Sequence, residues 1–150
     1  MNQDGGGALG IVGIGSDLLE VQRMAEVGKK YGDRIYRRLF TRAEIAYCES
    51  KGSPQEHYAA RFAAKEAALK ALGAGWARGV RWMDVEVVRT EKGPPTLLFS
   101  GAAKELAEAL GVRRAHLSIS HTRGLAMASV VLEGGPPRVD LPPGRSSTGN

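Results

Sequence analysis

The chain has 150 residues, a formal net charge of +5 and one cysteine, a length that suits one domain with its own core. A single cysteine excludes an internal disulfide and a cysteine metal cluster, and it favours a reducing compartment. The positive charge suits an anionic partner, a class that includes nucleic acid, acidic proteins and phosphorylated small molecules. No apolar run reaches the ~18 residues that cross a membrane and no leader peptide precedes the first predicted strand, so we expect a cytoplasmic protein.

The N-terminal half is predicted to contain one strand followed by helices. Residues 1–9 are rich in glycine and are expected to form a flexible leader, and residues 10–17 read as a short apolar strand whose glycines indicate close approach of another backbone. Thr41 and Glu44 form the pattern of a capping box. Helices are therefore predicted over residues 18–30, 33–39, 42–50 and from Pro54 to a closing glycine, Gly73.

The C-terminal half changes to the alternating pattern of strands. Residues 84–89 and 96–99 are predicted to form a hairpin, residues 101–110 a helix, and residues 115–121 and 125–132 a second hairpin whose last strand is central. Residues 134–150 are rich in Pro, Gly and Ser and are expected to be a disordered tail. The predicted class is α+β, an antiparallel sheet packed by helices, in one domain over residues 10–133.

The long fourth helix carries the most informative side chains. Its alanines at positions 63, 64, 67, 68 and 71 fall on one side, so the helix is expected to be buried and to lie close to a neighbouring backbone. Glu66 and Lys70 lie four residues apart and point the same way. They form either a helix-stabilising pair, worth about 0.2–0.5 kcal/mol, or part of a functional site.

Asp17 and His121 are the other polar candidates, because each ends a predicted strand in apolar surroundings. Asp17, with Glu20 three residues later, also fits a helix cap, and that segment alone favours the cap. Considered alone, His121 is better interpreted as a core or turn histidine than as a phosphate ligand. Two converging carboxylates, Asp17 and Glu66, would suit Mg²⁺, and a lysine beside them would suit phosphate chemistry.

Three motifs carry a resemblance to a known family. They are residues 13–20 with Arg23, residues 61–71, and residues 118–122, which read GIGSDLLE, RFAAKEAALKA and SISHT. In order and separation they resemble the motifs of holo-[acyl-carrier-protein] synthase, a 4′-phosphopantetheinyl transferase. The resemblance covers about residues 10–133 and implies the α+β fold of that family, with one long buried helix.

The resemblance also implies an activity and a set of roles. The enzyme would transfer 4′-phosphopantetheine from coenzyme A to a serine of apo-acyl carrier protein, release adenosine 3′,5′-bisphosphate and require Mg²⁺. Asp17 and Glu66 match the metal ligands, Lys70 the lysine beside the pyrophosphate, and His121 with Thr122 the coenzyme A contacts. Arg23 and Arg34 match carrier-protein contacts, and small members are homotrimers with sites between subunits. The base would be Glu66 or a water held by the metal.

The sequence departs from the family pattern in the loop before the long helix. Relatives often carry a basic cluster there, and this chain keeps only Lys51, which puts the grip on the adenosine phosphates in question. A rival interpretation is a non-enzymatic basic module that binds RNA or an acidic protein. Aromatic residues are 6% of the chain, fewer than a base-stacking surface favours, so we expect no nucleic-acid partner. We also expect no membrane contact, because no apolar run is long enough to cross a membrane.

Overall fold

The computed structural model describes residues 8–74 and 79–135. The predicted leader and tail therefore lie almost wholly outside the described residues. The described elements, in chain order, are β1 (Gly10–Glu20), α1 (Val21–Tyr31), α2 (Asp33–Leu39), α3 (Arg42–Glu49), α4 (Pro54–Ala71), a 3₁₀ turn (Trp82–Asp84), β2 (Val85–Val88), β3 (Thr96–Phe99), α5 (Gly101–Ala109), β4 (Val112–His121) and β5 (Leu125–Gly134).

Two antiparallel sheets organise these elements. The larger has the order β1-β5-β4, and the smaller is the β2–β3 hairpin. The predicted α+β class and the central position of the last strand are confirmed. The register places Asp17 opposite Ala128 and His121 opposite Ala126, so both polar candidates lie at the same end of the larger sheet. None of the described helices is long and apolar enough to cross a membrane.

The core lies between α4 and the larger sheet. The alanine side of α4 is buried as predicted, and it packs against the inner face of β5, where Ala128, Val130 and Leu132 are buried. Gly13 and Gly15 of β1 face this helix so closely that a Cβ on either would lie 1.9 Å from the carbonyl oxygen of Ala71 or Ala67. The predicted close approach of two backbones is confirmed, and it fixes α4 on β1.

The first strand is longer than predicted. Residues 18–20 continue β1 and pair with β5, so α1 begins only at Val21, and the residue at its N-cap position is Glu20. The interpretation of Asp17 as a helix cap is wrong. Pairing with β5 over these residues outweighs a local capping pattern, which needs only one favourable side-chain bond.

A buried ion pair joins the helical layer to the hairpin. Lys65 Nζ lies 2.6 Å from Glu44 Oε1, and both side chains are fully buried. Lys65 also donates to the carbonyls of Val85 and Trp82, while Glu44 Oε2 accepts from the Val87 N–H. Burial lowers the pKa of Lys65 and the neighbouring Glu44 carboxylate opposes that effect. The predicted Thr41–Glu44 capping box is confirmed and supplies the same carboxylate.

The outer face of the larger sheet, on the side away from α4, is apolar and exposed. Its largest exposed side chains are Ile11, Ile14 and Leu18 from β1 and Leu125 and Met127 from β5. Ile11 and Ile14 are 73% and 68% exposed. Within the described chain no helix covers this face.

Candidate functional site

Asp17 and Lys70 meet where β1 crosses the C-terminal half of α4. Lys70 Nζ lies 3.1 Å from Asp17 Oδ1 and donates a second hydrogen bond, 3.0 Å long, to the backbone carbonyl of Ser16. The Lys70 side chain is 55% exposed and that of Asp17 is 17% exposed. The lysine therefore keeps an open side toward solvent while one carboxylate and one carbonyl orient it.

Glu66 lies one turn before Lys70 on the same helix. Burial raises the pKa of the Glu66 carboxyl and the charge of Asp17 raises it further, whereas Lys70 acts in the opposite direction. In the described part of the chain, Lys70 forms its ion pair with Asp17 and not with Glu66. The interpretation of Glu66 and Lys70 as a helix-stabilising pair is therefore wrong. The two carboxylates are close enough to repel each other.

Asp17 and Glu66 open into a shared cavity of about 310 Å³, which Arg23 of α1 and apolar residues such as Phe62 also line. Among the described residues no three acidic, histidine or cysteine side chains come together as a metal site. The donor set is thus two mutually repelling carboxylates beside open space. It fits Mg²⁺, which takes one or two carboxylates and completes its shell with water and phosphate oxygens.

His121 lies near the opposite end of α4. Its Nδ1 is 3.6 Å from Glu56 Oε2, and Glu56 precedes Glu66 by ten residues, ~15 Å along the helix axis. A single chain therefore does not bring His121 to the carboxylates. Thr122 follows in the exposed turn, where its hydroxyl accepts a hydrogen bond of 3.4 Å from the Gly124 N–H.

A group that we call the Tyr47 cluster surrounds His121, and sequence reasoning missed most of it. The Arg61 guanidinium carbon lies 3.8 Å and Lys51 Nζ 4.6 Å from the centre of the Tyr47 ring. The ring of His57 lies 5.7 Å from that of Tyr47 and 5.1 Å from that of His121. The signal available in the sequence is Arg61, a charged residue that opens the long motif. The Tyr47 cluster consists of Tyr47, Lys51, His57, Arg61 and His121.

The predicted docking arginines lie on separate helices. Arg23 is exposed on α1 at the mouth of the carboxylate cavity. Arg34 is exposed on α2 and lines a broad open groove of about 660 Å³ together with Tyr31, Ile35, Arg37 and Arg38. Each of the two helices therefore presents arginine side chains beside a cavity.

Cys48 takes no part in this site. It is fully buried, and burial raises the pKa of its thiol to about 12, so the thiolate nucleophile is absent at neutral pH. The chemistry available here is that of carboxylates, a lysine and a cluster of cationic groups.

A family model described as the 4′-phosphopantetheinyl transferase superfamily matches residues 13–128. The chain belongs to this superfamily. It is 54% identical over 123 residues to the holo-[acyl-carrier-protein] synthase of Koribacter versatilis, an alignment that covers 82% of this chain and 98% of that protein. It is an enzyme of the holo-[acyl-carrier-protein] synthase type, as the three motifs implied.

Solved structures of this transferase family share the fold. The chain superposes on holo-[acyl-carrier-protein] synthase from Neisseria meningitidis with a TM-score of 0.75 and 32% identity, over 82% of this chain and 98% of that one. It superposes on the Helicobacter pylori enzyme in complex with coenzyme A with a TM-score of 0.69 and 29% identity, over 79% of this chain and 98% of that one. A member of the family thus binds coenzyme A on the same architecture.

Proposed function

We propose that this enzyme transfers 4′-phosphopantetheine from coenzyme A to a serine of apo-acyl carrier protein and releases adenosine 3′,5′-bisphosphate. The observation that carries the proposal is that Asp17 and Glu66 line one cavity while Lys70 forms an ion pair with Asp17. Two carboxylates and a lysine suit a pyrophosphate, whose charge needs both a cation and a positive side chain. A binding module for RNA or acidic proteins would not require carboxylates at this point.

Asp17 and Glu66 are the residues that would hold a divalent cation, and Mg²⁺ is the ion that we infer. Bound there, it would neutralise charge on the pyrophosphate of coenzyme A. The protein prepares the position by placing Glu66 in a half-buried setting where the Asp17 charge already raises its pKa. A cation at this point removes the repulsion between the two carboxylates. Relief of that repulsion favours binding of the cation.

Glu66 and Lys70 would then divide the proton and charge transfers. The serine oxygen of the carrier forms a bond to the β-phosphorus, and the bond from that phosphorus to the bridging oxygen of the α-phosphate breaks. Glu66, which lines the cavity, accepts the serine proton. Lys70, oriented by Asp17 and the Ser16 carbonyl, stabilises the negative charge on the departing bisphosphate.

We infer that the complete site forms between subunits of a homotrimer. His121 lies ~15 Å along α4 from Glu66 in one chain, which leaves it too far to share a phosphate with Lys70. The exposed apolar outer face of the sheet reaches the site, since Leu18 and Met127 border the space beside Asp17 and Lys70. Packing that face against another subunit would bury it and supply a second subunit's Tyr47 cluster, with His121 and Thr122 on the coenzyme A phosphates.

The carrier protein would dock on the basic surface of α1 and α2. Arg23 stands at the mouth of the carboxylate cavity, and Arg34 borders the groove on α2. An acidic partner on this surface brings its serine toward Glu66. We expect Arg23→Glu and Arg34→Glu to raise the KM for carrier protein and to leave the KM for coenzyme A nearly unchanged. Transfer should weaken as salt rises, because exposed charges are screened over about 10 Å at 0.1 M.

The decisive experiment incubates the protein with coenzyme A, MgCl₂ and an apo-acyl carrier protein and measures the mass of the carrier. The expected result is a gain equal to one phosphopantetheine group, abolished in Asp17→Ala with the fold retained by circular dichroism. Glu105→Gln, an exposed carboxylate on α5, is the control and should transfer normally. An unmodified carrier, combined with binding of RNA or of the carrier alone, would favour the binding-module interpretation. We place this activity in the cytoplasm, where the lone cysteine stays reduced.

A further inference from the structure

The Tyr47 cluster holds more cationic than anionic side chains. Lys51 and Arg61 both lie against the Tyr47 ring, and within the described chain neither forms an ion pair. Arg61 is 5% exposed, and its Nε has no hydrogen-bond partner among the described residues. A buried guanidinium donor left unpaired is costly, so a ligand that accepts a hydrogen bond from it would bind favourably here.

Two imidazoles complete this cluster. The rings of His57 and His121 meet edge to face with their centres 5.1 Å apart. Glu56 lies 3.6 Å from Nδ1 of His121 and forms an ion pair with that ring whenever the ring is protonated. The charged and titratable groups around His57 come from four parts of the fold. They are His121 of β4, Arg61 and Glu56 of α4, Lys51 of the loop between α3 and α4, and Tyr47 of α3. His57 thus has more cationic than anionic neighbours.

We propose that His57 is the proton-accepting member of a phosphate subsite, which Lys51, Arg61 and His121 complete around Tyr47, and that a phosphate dianion binds there with uptake of a proton on His57. This inference rests on the proposed function for the source of the phosphate, a phosphorylated nucleotide such as coenzyme A. It explains how the chain compensates for the basic cluster that is missing before α4. An imidazole on the first turns of α4 replaces a permanent charge in the loop.

The direction of the proton transfer follows from the surroundings of His57. Burial and the charges of His121, Arg61 and Lys51 lower the pKa of His57, and Glu56 opposes them only in part. In the free protein His57 is therefore neutral at pH 7. A dianion among the same groups cancels their repulsion and raises the pKa of His57, so that the complex holds a proton that the free protein lacks. Affinity consequently falls as pH rises through the His57 pKa of the complex.

The test measures binding of adenosine 3′,5′-bisphosphate and of inorganic phosphate by calorimetry, in buffers that differ in ionisation enthalpy. We expect the native enzyme to take up protons when it binds the bisphosphate just above neutral pH, where phosphate monoesters with a second pKa of about 6 are already dianions. Its affinity for the dianion should fall by up to about tenfold per pH unit where His57 titrates. His57→Phe keeps an aromatic ring beside Tyr47 and His121 but cannot titrate. It should bind with much less proton uptake and a flatter pH dependence, and His57→Gln should behave in the same way.

A matched control and a direct probe are available because the chain has only three histidines. His116 lies on β4 outside the cluster and is 55% exposed, so His116→Asn should leave affinity and proton uptake unchanged. Proton nuclear magnetic resonance of the three imidazoles should show the His57 pKa rise when the bisphosphate is added. Undiminished proton uptake in both His57 variants, or an unmoved His57 pKa in the bound enzyme, would overturn the proposal.

The outcome is separable from that of the proposed function. Phosphate binding with proton uptake on His57 and no modification of a carrier protein would support the subsite and contradict the transferase reaction. Modification of the carrier by an enzyme in which phosphate binding moves no proton at His57 would contradict only the subsite.

Discussion

Lys70 donates hydrogen bonds to two acceptors of β1, so its substitution tests the chemical role of a single residue. Lys70→Met keeps helix propensity and length but removes the positive charge beside the leaving group. We expect kcat to fall by about 10²–10³, since removing one electrostatic donor typically costs that much. The measurement is kcat at saturating substrates beside a thermal melt. Lys104→Met, on the exposed side of α5, is the control, and equal kcat in both variants would assign Lys70 a structural role.

We expect ionised Glu66 to lower the stability of the metal-free fold and to be required for transfer activity. Burial and Asp17 raise its folded pKa above the unfolded value of about 4.3, so its stabilising contribution is complete below that value and is lost as pH rises through the folded pKa. Without divalent cations, Glu66→Gln should therefore melt at a higher temperature than the native enzyme at pH 7 and converge with it toward pH 4. It should be inactive and should gain nothing from added MgCl₂, whereas the native enzyme should gain stability.

Thermal melts between pH 4 and pH 8, with and without MgCl₂, provide this comparison. Glu105→Gln, which changes an exposed carboxylate in the same way, should show neither effect. A lower melting temperature for Glu66→Gln at pH 7 would mean that the ionised carboxylate stabilises the fold and is not held ready for a cation.

At this scale the sequence identified candidates but not their partners. Asp17, Glu66 and Lys70 stood out because charges in apolar context require an explanation. The partner of Lys70 is 53 residues away in the chain, and no local spacing rule connects them. Local rules instead offered Glu66 as the partner of Lys70 and the helix start as the role of Asp17, and both were wrong. The Tyr47 cluster was missed for the same reason, because its members come from α3, the loop after it, α4 and β4.

Helix α4 and strand β1 form the element pair on which the site depends, and Gly15 tests it. A Cβ at Gly15 would lie 1.9 Å from the Ala67 carbonyl oxygen, an atom of a buried helix that cannot rotate away. Gly15→Ala should therefore lower the free energy of unfolding by about 1–3 kcal/mol, the usual range for overpacking. Activity per folded molecule should also fall, since shifting α4 by ~1 Å separates Glu66 from Asp17 and can cost 10²-fold.

Gly10 offers a control within the same strand. A Cβ there meets no atom within 4 Å, so Gly10→Ala should leave both stability and activity near the native values. Urea unfolding and the transfer assay on both variants make the comparison. Equal unfolding free energies would show that α4 can move away from β1 without cost.

The Glu44–Lys65 pair connects α3, α4 and β2, and Lys65→Met measures that connection. The methionine would leave the Glu44 carboxylate buried without its cation, a change that typically costs about 3–5 kcal/mol. Adding Glu44→Gln removes the stranded charge, so the double variant should be less destabilised than the sum of the two single ones. Denaturant unfolding of all four proteins gives the coupling free energy, and simple additivity would rule out an energetically coupled pair.

Element positions were predicted better than element contacts. The capping box at Thr41, Pro54 at the start of α4 and Gly73 after its end marked boundaries through local chemistry, and the structure has them there. The end of β1 was predicted three residues early because pairing with β5, a long-range contact, decided it. The sequence pattern does not single out Lys65, because its partner Glu44 lies 21 residues away and fits a capping box by itself.

At the scale of the whole molecule, a site shared between subunits predicts complementation. Lys70→Met and His121→Ala should each be nearly inactive as homotrimers. When the two are refolded together, random mixing in a closed ring should make about a quarter of the sites native in both contributions. Transfer activity should recover toward that fraction. A mixture no more active than its two parents would place Lys70 and His121 in the same subunit's site, or the site within a monomer.

The contact between α4 and β1 also determines how the site fluctuates. The amides of Ala67 and Ala71 lie in a helix pressed against strand backbone, without flexible side chains between them that could repack around a partial opening. Their hydrogens should therefore exchange with solvent only through unfolding of the whole domain, in contrast to those of exposed loops. The carboxylates would then keep their spacing until the protein melts, and inactivation by heat would report global unfolding directly.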